Sequence, residues 1–174
     1  MESVNRCLNS SKLDSLVEEF THETQTARRH LERIPEAHFN WHPYAKSFTI
    51  RQLGGHIIEC VRWAEQVLAN DESDMNPAAY EAIRPDSVTS LLEVFDAMVE
   101  GETWAMASST VQDVTQPWRM KLRGETLFEK NWESAFRDLS MNHLIHLWSQ
   151  FTVYLRLLDV PLVGTYEPTA DQRG

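Results

Sequence analysis

Five residues in this chain have the types and spacing to do chemistry. His56, Glu59 and Cys60 fall within one short stretch, and His143 and His146 lie three positions apart in another. Imidazole nitrogen suits zinc, nickel, copper or iron. Three histidines around an open fourth position can activate water or bind a thiolate. On this reading His56, His143 and His146 are the metal ligands. Glu59, three residues after His56, can orient that ring as an acceptor. Cys60 adds a soft ligand or a nucleophile, and Gln150 and Trp148 stand beside the group as pocket residues. The competing reading makes these core histidines, hydrogen-bonded to Gln150, Glu59 or a tyrosine hydroxyl, and makes Cys60 a small buried hydrophobe. The usual helical ligand pair is four residues apart, and four residues after His143 this chain has Leu147. No identity for a catalytic residue follows from spacing alone.

The elements that must position these residues are helices. Leu13, Leu16, Val17, Phe20, Ala27, Leu31 and Ile34 recur at helical spacing, which predicts a first helix capped near Ser11 and stopped before Pro35. Residues 35–48 form a connector with Trp41-His42-Pro43. Thr49 with Gln52 is a capping-box pattern that opens a second helix over 50–70. A polar loop over 71–85 follows. Asp86 is placed to cap a third helix, whose apolar run continues through Gly101 to Met106. The period then changes, and residues 117–128, with Arg123-Gly124 between two short runs, read as a short hairpin or an irregular excursion. A fourth helix runs over 132–158 with the stripe Phe136, Leu139, His143, Leu147, Gln150, Tyr154 and Leu157. Asp159-Val160-Pro161 ends it. The expected fold class is all-α, a four-helix bundle. It forms a single domain over 1–174, with a loose lead-in over 1–10 and a tail over 162–174.

Composition narrows the partners. The chain has 174 residues, 42% of them hydrophobic, and a formal net charge of -10. That balance, without a basic run, argues against nucleic acid and against anionic membrane surfaces. No apolar stretch approaches the roughly 20 residues of a bilayer span, and the first residues do not have the plan of a signal peptide. The two cysteines, Cys7 and Cys60, form no Cys-x-x-Cys pair, which places the chain in a reducing cytoplasm. Phosphate loops, the Gly-x-Ser-x-Gly elbow, His-Glu-x-x-His and paired Glu-x-x-His patterns are all missing from the sequence, which sets aside several large enzyme classes.

Three stretches together resemble the DinB/YfiT-like bundle family. They are Trp41-His42-Pro43 through Leu53 to His56-Ile57, Asn142-His143 through Gln150, and Val153 through Pro161 with Tyr166-Glu167-Pro168-Thr169-Ala170-Asp171. The resemblance implies an up-down-down-up bundle, assembled as a homodimer. It also implies a divalent-metal site, nickel or zinc, made by three histidines. One ligand comes from helix two and matches His56. Two come from helix four in the pattern Asn-His-x-x-His-His-Arg-Gly-Gln. His143 matches the first, whereas the last is replaced by Leu147 and the following Arg-Gly by Trp148-Ser149. His146 then stands nearest the vacated place. Some relatives resemble thiol-dependent S-transferases, so the implied function is metal-dependent chemistry of thiol S-transferase or hydrolase type on a small-molecule substrate or thiol. The alternative is a metal-free small-molecule-binding or structural bundle that has lost the site.

Overall fold

The computed structural model describes residues 2–107 and 114–173, with side chains from residue 12 onward. Helix α1 spans Glu2–Leu31, α2 Ile50–Ala69 and α3 Val88–Ala107. A last helical rod consists of α4 (Trp132–Phe136), a π turn (Arg137–Met141) and α5 (Asn142–Leu157). Ionic and aromatic contacts fix the directions. Lys12 meets Glu133, Arg137 meets Glu19, and the Arg33 guanidinium donates to the Pro161 carbonyl, so α1 runs alongside α4–α5. Glu36, just beyond the end of α1, accepts the Val88 backbone N–H at the start of α3, so α3 runs back along α1. Trp132 donates to the Val67 carbonyl at 2.8 Å, and Trp41 sits edge-on to Tyr154, so α2 opposes α4–α5. The order is up, down, down, up.

Local sequence explains the boundaries. Thr49 accepts the Gln52 N–H while the Gln52 side chain accepts the Thr49 N–H, the capping box read from the sequence. Asn131 caps α4 by accepting from Ser134 at 2.8 Å. Two boundaries differ from expectation. The α1 backbone is helical from Glu2, so residues 2–10 are not a loose lead-in; the proposed cap at Ser11 lies outside the described side chains. Ser87, not Asp86, caps α3, because its hydroxyl reaches the Ser90 N–H while Asp86 is drawn to Arg51 at 2.8 Å. The chain runs through Gly101 without breaking α3.

The all-α expectation is corrected by a three-stranded sheet, order β1-β2-β3, comprising β1 (Glu72–Met75), β2 (Pro117–Leu122) and β3 (Glu125–Asn131). The hairpin of β2 and β3 matches the reading of 117–128. It turns through Arg123 and Gly124, both with positive φ (53° and 84°), the geometry of a two-residue hairpin turn. A register shift after Met120 marks a bulge. β1 was hidden in an apparently polar loop. It pairs parallel to β2, Glu72 opposite Arg119, and Lys121 donates to Glu72 at 2.6 Å. It is held by this ladder, with cross-strand charge pairs alongside, and shows no apolar alternation. Trp118 and Met120 turn from the other face of β2 into the core.

That core includes Phe20, Leu31, Leu53, Ile57, Val61, Phe95, Trp118, Phe136, Leu144 and Phe151. The π turn inserts one residue into the last rod and shifts the phase of its buried face. Leu144, Leu147, Trp148, Phe151 and Leu155 are buried, whereas Gln150 and Leu157, expected in the stripe, face solvent. His143 is left at the edge of that face, half-buried.

Candidate metal centre

α2 supplies two neighbours to the site from one face. His56 and Cys60 are four residues apart, one turn of helix, so their side chains lie over each other. α5, antiparallel to α2, brings His143 across. The rings of His56 and His143 approach edge to face, 4.9 Å between centroids at 83°. One donor atom each from His56, Cys60 and His143 lies within 4.8 Å of the others. Phe48 closes one side, edge-on to His56 at 5.9 Å.

Glu59 sets the orientation of His56. Its carboxylate lies 2.8 Å from His56 Nδ1, accepts the Ile83 N–H at 2.7 Å and accepts a hydrogen bond from the Tyr80 hydroxyl. Burial pushes the Glu59 pKa up, but these donors outweigh it and bring the carboxyl down to about 2. An ionised carboxylate only accepts, so Nδ1 carries the proton and the Nε2 lone pair is left for a ligand. Burial, then the nearby His56 and His146, lower the His143 pKa, which keeps that imidazole neutral. Burial and the Glu59 charge push the Cys60 thiol up to about 12. Cys60 is therefore no free nucleophile. As a metal ligand it would have to give up that proton to the cation.

The residues expected from the sequence divide cleanly. The fold brings together His56, His143, Glu59 and Cys60. His146 is exposed, with its Nε2 2.7 Å from the Gln150 side-chain nitrogen, and belongs to no metal-competent group among the described residues. The reason is angular: three residues of α5 carry His146 toward solvent, while four residues of α2 carry Cys60 onto His56. Gln150 is exposed beside His146. Trp148 is buried on another face and donates its indole N–H to Glu23 at 3.2 Å. Tyr80, Ile83 and Gly55 were missed. A Cβ on Gly55 would sit 2.0 Å from the Ile83 carbonyl oxygen, so the bare helix surface lets the 76–85 loop reach Glu59. The signal was the Gly54-Gly55 pair inside a helical pattern, which marks close backbone approach.

The donor set fits a transition metal. Zinc bonds of about 2.0–2.3 Å to imidazole and thiolate in a tetrahedron space the donors about 3.3–3.8 Å apart. The cluster needs a contraction of about 1 Å, which side chains at the edge of a core can make by small rotations.

The fold is similar to that of solved DinB-like proteins. The crystal structure of the DinB-like protein YjoA from Bacillus subtilis superposes with a TM-score of 0.68 at 17% identity, over 89% of this chain and 99% of that one. A DinB-like protein from Bacillus cereus gives a TM-score of 0.65 at 16% identity, over 88% of this chain and 97% of that one. No protein-family model and no curated protein matches the chain. At this identity the likeness carries the fold. The three-donor cluster comes from this chain's own residues.

Proposed function

We propose that the protein is a metal-dependent enzyme of small-molecule chemistry, of thiol S-transferase or hydrolase type, with nickel or zinc held by His56, Cys60 and His143. The observation that carries this reading is the convergence of three donors, one of them oriented by a buried carboxylate. The bound cation would supply Lewis acidity and lower the pKa of a water or thiol in the remaining position. The chain's own residues do the rest. Glu59 keeps the proton on Nδ1 of His56, burial keeps His143 neutral, and Cys60 releases its proton on ligation. The third donor has moved between helices: where the family pattern uses a second helix-four histidine, this chain has Leu147 there and Cys60 on α2.

Metal analysis and cobalt or zinc titration of protein prepared without a histidine tag test the reading. One equivalent per chain is expected, with a thiolate-to-cobalt charge-transfer band. The band should vanish in Cys60→Ser, and tight binding should be lost in His56→Ala and His143→Ala. Stoichiometric metal that persists in Cys60→Ser but is lost in His146→Ala would return the third place to His146. No bound metal under replete conditions would favour the metal-free bundle.

A further inference from the structure

Glu59 is 3% exposed, and two of its three hydrogen-bond donors come from one loop. The loop connects β1 to α3. It supplies the Ile83 N–H at 2.7 Å and the Tyr80 hydroxyl, while the third donor is His56 Nδ1 at 2.8 Å. The same loop is seated by Arg51, which donates to the Arg84 carbonyl at 3.1 Å and pairs with Asp86 at 2.8 Å. Gly55 leaves the space in which Ile83 rests on the helix. A carboxylate has about four lone-pair positions, so three donors nearly fill it. A buried carboxylate stripped of two donors is poorly solvated and must recover water or rearrange.

We propose that Glu59 is a latch through which docking of the 76–85 loop and the orientation of His56 become one event, so that the loop governs whether the cluster presents its donors. With the loop seated, the carboxylate is fixed by Ile83 and Tyr80 and holds His56 with Nδ1–H inward, which leaves Nε2 as the ring's acceptor. With the loop lifted, water enters beside Glu59 and the ring is free to take its other tautomer or turn. Linkage makes the effect reciprocal: whatever holds His56 in place tightens the loop. Glu59 acts here as a positioning residue. The consequence for metal uptake rests on the function proposed above, whereas the coupling is a property of the chain without metal.

The experiment uses full-length, chelator-treated protein and two readouts. Long-range nitrogen–proton NMR reports the His56 tautomer, and amide exchange reports protection of the Ile83 N–H. Wild type should show the Nδ1–H form and a protected Ile83. Gly55→Ala alters neither the His56 nor the Glu59 side chain, yet it should speed Ile83 exchange about tenfold or more and convert His56 to a mixture of tautomers. In the reverse direction, His56→Ala should also speed Ile83 exchange. Loop release with an unchanged His56 tautomer would overturn the latch, as would unchanged Ile83 protection in His56→Ala. Should Gly55→Ala not fold, Tyr80→Phe at a half-exposed site carries the same two readouts, and wild-type values in both would be the overturning result. Zinc titration of the same samples separates the two claims. Coupling without zinc binding defeats the metal reading alone, and tight zinc binding without coupling defeats the latch alone.

Discussion

Glu23 on α1 and Glu59 on α2 are buried carboxylates built on one plan. Each accepts from a tyrosine hydroxyl belonging to a segment outside the helices, Tyr166 of the C-terminal tail at 2.9 Å for Glu23 and Tyr80 of the 76–85 loop for Glu59. In both pairs burial and then the carboxylate push the tyrosine up to about 12. Each carboxylate also accepts from an aromatic ring nitrogen, Trp148 Nε1 for Glu23 and His56 Nδ1 for Glu59. The difference lies in what the ring has left. Indole has a single N–H and nothing more to offer, so Glu23, Trp148 and Tyr166 close on themselves. Imidazole has a second nitrogen, and the His56 ring lies beside a thiol and another imidazole. The first arrangement is a staple and the second a site. Buried polarity alone does not distinguish them; the spare lone pair does.

The staple should matter most to stability. Trp148 is buried, stacks on His30 with centroids 5.6 Å apart and 15° between planes, and meets Tyr166 edge-on. Trp148→Ala should cost about 3–5 kcal/mol in chemical denaturation. Its zinc stoichiometry, measured well below the unfolding transition, should match wild type. A loss under about 1 kcal/mol would mean that the tail is not held by this residue.

Acid should take the two regions apart in sequence. His30, 1% exposed, is lowered from 6.5 to about 4 by burial and then by Arg29 and Arg33. Its folded pKa is depressed, so the unfolded chain takes up the proton first, and stability present above pH 6.5 is lost as pH falls toward about 4. Glu59 is lowered from 4.5 to about 2, so its contribution is present above pH 4.5 and is lost as pH falls toward about 2. Each displacement corresponds to about 3 kcal/mol. Denaturation midpoints across pH 7 to 2 should show two descending limbs in metal-free protein. His30→Gln should flatten the upper limb and Glu59→Gln the lower one. A single limb removed by either substitution would join the two regions into one network.

The two regions also differ in how far the sequence reveals them. The bundle was legible because Leu53, Ile57, Val61 and Ala64, or Phe136, Leu139, Leu147 and Tyr154, repeat at helical spacing and a capping box marks Thr49. His56 and His143 were legible as polar residues on such faces. The π turn at Arg137–Met141 was not, since one inserted residue leaves no compositional trace, and it moved Gln150 and His146 from the expected face to solvent. β1 was not legible, because Glu72-Ser73-Asp74-Met75 becomes a strand only through partners some 47 residues away, such as Arg119 opposite Glu72. Cys60 could be weighed as a ligand from sequence but not preferred, since four-residue spacing from His56 is equally the spacing of a core stripe. The staple went unread because Glu23, His30 and Tyr166 look like surface residues until the tail folds over them.

The smallest effect gives the sharpest comparison, because one chemical change can be made on both sides. Tyr80→Phe and Tyr166→Phe each delete a hydroxyl that donates to a buried carboxylate, and both tyrosines are exposed enough for water to replace part of the bond. Each should therefore lower stability by about 1 kcal/mol, below the roughly 1.5–3 kcal/mol of a hydrogen bond to a charged group that water cannot replace. Their zinc affinities should diverge. Tyr80→Phe removes a donor that fixes the carboxylate behind His56 and should weaken zinc binding about tenfold, as loss of an outer hydrogen bond to a metal ligand does. Tyr166→Phe should leave it within error of wild type. Competitive titration with a chromophoric chelator resolves a tenfold difference easily. Equal weakening by both variants would mean that the staple on α1 and the site on α2 communicate through the core, and the division between them would have to be redrawn.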